Sequence, residues 1–181
     1  MFTIEFLKKE HEKIIEVVDK VEENCISIMN GRELNVNFYR VLIEYIRKFA
    51  DSTHHKKEED ILFKYMVDNL GEVAEKLVKS GMLTEHQMAR YYVSELENYL
   101  NDYEESKSDK SKVQVLANAM SYVNLLRIHV DKENNVVYPF GERSLTKELL
   151  SEIDSEMKSK IKLEEQNEER RKELLDKLFS L

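Results

Sequence analysis

The chain has 181 residues, of which 41% are hydrophobic and 35% charged, with a net charge of −8 and a pI near 5.3. These figures fit one domain with a real apolar core and exclude wholesale disorder, a disulfide scaffold (Cys25 is the single cysteine) and the basic footprint of a nucleic-acid binder. Four Gly and one Pro are too few for a turn-rich all-β fold. No apolar run approaches the roughly 20 residues of a membrane helix, and Glu5, Lys8, Lys9 and Glu10 stand where a signal peptide needs its apolar stretch, so a cytoplasmic protein is expected.

The first predicted helix covers about residues 3–29, with Ile4, Leu7, Ile14, Ile15, Val18, Val21, Cys25 and Ile28 at steps of three and four. Asn30-Gly31-Arg32 stops it, Gly31 supplying the left-handed cap. A second helix runs from about Asn35 to Asn69 on Phe38, Val41, Leu42, Tyr45, Phe49, Leu62, Phe63 and Met66. Gly71 breaks it, and a short helix over 72–79 ends at Gly81. The third starts near Leu83 with Thr84 as N-cap and continues through Val93, Leu96 and Leu100. The polar, aperiodic stretch 104–110 reads as a loop. The fourth helix spans about Lys112 to Tyr138, closed by Pro139 and Gly141.

Four long amphipathic helices with short links predict an all-α, up-down-up-down four-helix bundle over residues 1–141. Residues 142–181 are dense in Glu and Lys, with apolar positions at Leu149, Leu150, Ile153, Met157, Ile161, Leu174, Leu175, Leu178 and Phe179. They read as one or two further helices packed on the bundle end or on a partner, against the alternative of a solvated, partly frayed tail. The spacing of 174–181 suits a homodimer and packing on the chain's own bundle equally.

Histidines 11, 54, 55, 86 and 129 put at least one imidazole on each long helix. On a wheel of about 100° per residue with His55 at zero, Glu59 falls at about 40°, Leu62 at about −20° and Met66 at about 20°, on the apolar face. His54 falls at about −100° and Glu58 at about −60°, off that face or at its edge. The same test aims His129 and Glu133 inward with Leu126 and Phe140, His11 with Leu7 and Ile15, and His86 with Leu83 and Val93.

His55-x-x-x-Glu59 parallels His129-x-x-x-Glu133, and Glu10-His11 parallels Glu85-His86, with offsets of 75 (86 − 11), 74 (129 − 55) and 74 (133 − 59). Two helical hairpins related by a pseudo-two-fold axis follow. Buried carboxylates are costly unless paired or bound to a cation, so the expected product is a two-metal site. His11 and His55 then serve one metal, His86 and His129 the other, and Glu59 and Glu133 bridge. Imidazole with carboxylate suits iron, manganese or zinc. The absence of clustered cysteines and of a His-Glu-x-x-His string argues against a zinc site, and the His-rich set favours a di-iron centre over the Glu-rich ferritin type. Just outside this set, His54, Glu58, Arg90, Tyr45 and Tyr122 are candidates to touch the ligands.

These residues resemble the hemerythrin-like, or HHE cation-binding, family. The match rests on Glu10-His11, on Phe49 to Phe63 with His54-His-Lys-Lys-Glu-Glu59, on Glu85-His86, and on His129 to Pro139. The resemblance implies two iron ions bridged by carboxylate and an oxo or hydroxo group, held by His11, His55, Glu59, His86, His129 and Glu133. It implies a protein that binds or senses dioxygen, nitric oxide or peroxide, or alternatively a di-iron enzyme that reduces peroxide or nitric oxide, or delivers iron for repair of iron centres. Any electron donor is external. Oxygen-carrying hemerythrins have a second His four residues after the third-helix His, and a final Asp five residues beyond its His. Here those features are Arg90 and Glu133, the latter only four residues after His129. Arg does not ligate. Two His per metal would leave open positions, favouring reactivity over reversible carriage. Arg90 is left to pair with a bridging Glu or an anionic ligand, or to reach the bundle end.

Overall fold

A computed structural model of residues 1–181 shows helices and no strands, and no helix is long and apolar enough to cross a membrane. Helix α1 (Phe2–Met29) buries one stripe, including Ile4, Leu7, Ile14, Val18, Val21, Cys25 and Ile28. It ends at Asn30 and at Gly31, whose φ of 99° needs a residue without a Cβ. The Asn35 side chain caps α2 (Val36–Tyr45) by accepting from the Phe38 amide.

The predicted second helix is continuous but not all α. Ile46–His55 and Glu58–Leu62 are π-helical, followed by α3 (Phe63–Glu75). Gly71 breaks α3, at φ 71°. Gly81 ends nothing, because it has no positive φ and lies in a π segment, Lys76–Met82, that runs directly into α4 (Leu83–Ser106). Thr84 is accordingly not a cap, and its hydroxyl bonds back to the Lys79 carbonyl. The predicted loop over 104–110 shrinks to Lys107, left-handed at φ 51°, and Ser108, which caps α5 (Asp109–Lys132). That stretch is aperiodic because it is mostly exposed, not because it is unstructured. Pro139 does not close the fourth helix either. A π turn, Glu133–Val137, precedes it, and Pro139 lies in the first turn of α6 (Tyr138–Ser144), where a missing N–H costs little.

The C-terminal residues are packed helices, not a frayed tail. Thr146 caps α7 (Lys147–Glu164), and a 3-10 turn (Glu165–Asn167) leads to α8 (Glu168–Ser180).

Two apolar clusters organise the whole. The larger takes Ile14 to Ile28 from α1, Phe38 to Ala50, Ala89 to Leu100, Val115 to Leu126, and Leu174 and Leu178 from α8. The smaller takes Ile4 and Leu7, Ile61 to Met66, Ala74 to Met82, Val137 and Tyr138, and Ile153 and Met157 from α7. Every histidine lies between them: His11 between Leu7 and Ile14, His54 and His55 between Ala50 and Ile61, His86 between Met82 and Ala89, and His129 between Leu126 and Val137. The C-terminal helices thus contribute to both plugs. Leu174→Ala should lower the unfolding free energy by about 2–5 kcal/mol, read from the urea midpoint at constant slope. A change within error would show that α8 is not part of the core.

Candidate metal centre

All five histidines are at most 3% exposed, and Glu58 and Glu133 are 0% exposed. The π segments explain why His54 and Glu58 point inward, contrary to the wheel. With i→i+5 hydrogen bonding each residue turns through less than the α-helix's roughly 100°. Four residues then make nearly one full turn, so Glu58 stacks under His54, and the angle between His54 and His55 narrows until both fit the interior. Glu59 is correspondingly displaced. Its carboxylate is not among the converging atoms but on the outer nitrogen of His86.

Each outer nitrogen has a partner. Nδ1 of His54 meets Glu10 at 3.0 Å, of His55 Asp51 at 3.3 Å, of His86 Glu59 at 2.8 Å, of His129 Glu85 at 2.9 Å, and of His11 the Asn134 amide oxygen at 2.9 Å. A carboxylate only accepts. Nδ1 therefore carries the proton, and Nε2 turns a bare lone pair to the interior.

There it meets more lone pairs. His11 Nε2 is 3.1 Å and His129 Nε2 3.2 Å from Glu133, and His54 and His86 Nε2 are each 3.6 Å from Glu58 Oε2. Nε2 of His54, His55, His86 and His129, Glu58 Oε2 and both Glu133 oxygens are buried with no hydrogen-bond partner. These atoms fall into two groups, His55, Glu58, His86 and His129, and His11, His54, Glu58 and Glu133, each group within 4.8 Å throughout. Donors bonded at about 2.0–2.2 Å to one ion lie at such separations from each other, so this donor set fits a cation in each group.

Two expectations are corrected. There are five converging imidazoles rather than four, split three and two, so the two-His-per-metal argument for open positions on both sides fails. The carboxylate shared by the two groups is Glu58, not Glu59. A one-residue shift in the repeat gave the signal. With His54 and Glu58 in place of His55 and Glu59, the spacings 85 − 10, 86 − 11, 129 − 54 and 133 − 58 are all 75, where the other pairing mixed 75 with 74. The supporting partners obey the same period, Glu59 behind His86 matching Asn134 behind His11. His55 has no counterpart, since Val130 stands 75 (130 − 55) residues on. Phe63, stacked on His86, corresponds to Tyr138, stacked on His11 at 5.6 Å. The Tyr138 hydroxyl donates to Glu58 and lies 3.4 Å from His11 Nε2.

Arg90 points inward as expected, but it binds Asp51 and Glu59, the carboxylates behind His55 and His86, and so clamps two outer supports at once. Tyr122 lines an 80 Å³ cavity with His55, Asp51 and Arg90, and Tyr45 packs on Phe49. Neither joins the converging atoms. Burial pushes the Tyr45 hydroxyl up to about 12.

The charges follow from this layout. Burial lowers His54 to about 4 and His55 to about 3. Burial works against Glu59 ionising, but His86 and Arg90 outweigh it and hold the group at about 2. Burial and the neighbouring Glu133 push Glu58 up, while the surrounding imidazoles hold Glu133 down despite its burial.

A family model described as the hemerythrin HHE cation binding domain matches residues 3–140. Searches of curated proteins and of solved structures return no match.

The metal-free protein should be acid-labile, with a sign set by these shifts. Between pH 6.5, the ordinary value for His, and pH 4.5, that for Glu, His54 and His55 take up protons in the unfolded chain but not in the folded one. Stability falls as pH drops. Glu58, raised by burial and by Glu133, works against this loss. Below 4.5 the depressed Glu59, Glu133 and Glu10 steepen the loss. Urea midpoints of chelator-treated protein against pH should show both slopes, and a flat profile down to pH 4.5 would contradict the burial of the imidazoles.

Proposed function

Because the chain belongs to the hemerythrin HHE cation-binding family, we propose that its His/Glu layer holds two iron ions and that the protein binds or senses dioxygen or a related small ligand, nitric oxide or peroxide. The observation that carries this reading is the convergence of buried imidazole and carboxylate lone pairs, most of them without a hydrogen-bond partner, while every outer imidazole nitrogen is held in place. His55, His86 and His129 would hold one iron and His11 and His54 the other, with Glu58 common to both groups and Glu133 reaching from His11 to His129. Imidazole and carboxylate without thiolate suit iron, and Cys25 lies in the larger apolar cluster. The bound iron pair would supply redox-active positions at which a small ligand coordinates.

The chain's own groups do the rest. The carboxylates behind the imidazoles orient the rings and strengthen them as donors. The apolar clusters on either side exclude water, and the burial of every inner donor favours ligands of two or three atoms over larger substrates. On the side with two imidazoles the Tyr138 hydroxyl donates to Glu58 and lies 3.4 Å from His11 Nε2, where it could donate to a small bound ligand. The order in which the chain meets the two clusters supports the up-down-up-down arrangement. It is smaller then larger along α1, reversed along the second helix, again smaller then larger from Ala74, Val78 and Met82 into α4, and reversed from α5 through Val137 and Tyr138.

Anaerobic iron loading followed by air should give two irons per chain and new near-ultraviolet and visible bands, measured by metal analysis and absorption. A protein that stays colourless, or takes up only zinc, overturns the di-iron reading. Glu58→Ala should abolish stoichiometric binding of two irons. Glu59→Gln should keep both at about 10–100-fold weaker affinity, and equal loss in the two variants would return the bridging role to Glu59.

A further inference from the structure

The 75-residue period extends one shell beyond the imidazoles. Lys132 bonds Glu85, which holds His129, and Lys57 (132 − 57 = 75) bonds Glu10 at 2.6 Å, which holds His54. The two copies differ in what covers them. The Lys132 side chain is 45% exposed and that of Lys57 1%. The cover is the C-terminal extension, which lies beyond the matched residues 3–140. Glu164 accepts a second bond from Lys57 Nζ at 3.1 Å, and Arg171 stands 3.9 Å from the same Glu10 oxygen. The 70 Å³ cavity left beside Lys57 is walled on the outer side by Ile161, Glu164, Glu168 and Arg171. Glu164 is the last residue of α7, at the 3-10 turn into α8.

A carboxylate behind an imidazole strengthens it as a donor, and an ammonium held on that carboxylate takes some of this charge away. Dividing Lys57 between Glu10 and Glu164 returns it. Without Glu164, Lys57 would lean wholly on Glu10, and His54 would face its ligand position as a weaker donor.

We propose that the C-terminal extension is a working part of the His11/His54 pocket: Glu164, acting through Lys57 and Glu10, positions His54, so that metal occupancy of this pocket and docking of α7 and α8 are coupled. The proposal rests on the metal reading above. The coupling is reciprocal, as any linkage between two equilibria must be. A filled pocket tightens the C-terminal helices, and undocked helices weaken the pocket. The His129 copy, with its lysine in solvent, carries no such connection, so the two metal positions respond differently.

The test uses the full-length, metal-free chain with cobalt(II) alone as probe, followed by its visible ligand-field bands. The wild type should bind two ions. Glu164→Gln should weaken one step by about 3–10-fold, less than the roughly 10–100-fold typical of a direct imidazole partner, and shift the bands of that ion only. The exposed variant Glu169→Gln, which does not line this cavity, should titrate as wild type. Hydrogen exchange on the wild type needs no substitution: loading should slow exchange across α7 and α8. Two cobalt sites insensitive to Glu164→Gln, or exchange in α7 and α8 indifferent to loading, overturns the coupling while leaving the metal centre intact. A wild type that binds no cobalt overturns the metal centre and this proposal with it.

Discussion

Four of the five imidazoles are backed by a carboxylate and the fifth by an amide oxygen, and this arrangement governs the interior. A proton committed to the outer nitrogen leaves a lone pair on the inner one. Those lone pairs face Glu58 and Glu133, buried among acceptors, and the Tyr138 hydroxyl is the donor that reaches them. Like-signed electron density at 3.1–3.6 Å is repulsive, so the fold stores a demand for positive charge at its centre. In the metal-free chain protons meet part of it, as the raised Glu58 indicates. Bound cations would meet the rest.

Placing that demand between two apolar clusters solves two problems at once. Each cluster is large enough to carry part of the fold, so the polar layer need not be stabilising by itself. Each also seals the layer from one end, which keeps its electrostatics in a low-dielectric setting where they are strong. The π turns are the local cost of this design. Widening the helix where the ligands sit admits two consecutive histidines, His54 and His55, to one interior.

The repeat is symmetric in its framework and asymmetric in its details. Glu10, His11, His54 and Glu58 recur as Glu85, His86, His129 and Glu133, but His55 is matched by Val130, Tyr138 by Phe63, and a buried Lys57 by an exposed Lys132. Each departure adds or covers a polar group on one side only. The two donor groups are therefore inequivalent in imidazole count, in the hydroxyl that faces them and in their contacts with the C-terminal helices.

Much of this was legible in the residue order. Apolar spacing located the long helices, histidines on every one of them pointed to a polar interior, and a near-constant offset revealed the duplicated hairpin. Local pattern determines these features, because steps of three and four need only a helix to line up. What failed was every inference that assumed one helical pitch. Glu59 for Glu58, His54 placed outside and four imidazoles counted for five trace to π turns that a wheel of constant angle does not contain, whereas Gly81 and Pro139 read as helix ends from breaker propensity, which the surrounding helix overrides. Whether a segment takes π or α bonding depends on what its side chains must reach across the interior. Burial against other helices decides that, which is why only the tertiary structure could choose between adjacent residues and show that the last 35 residues (147–181) wrap the site rather than trail from it.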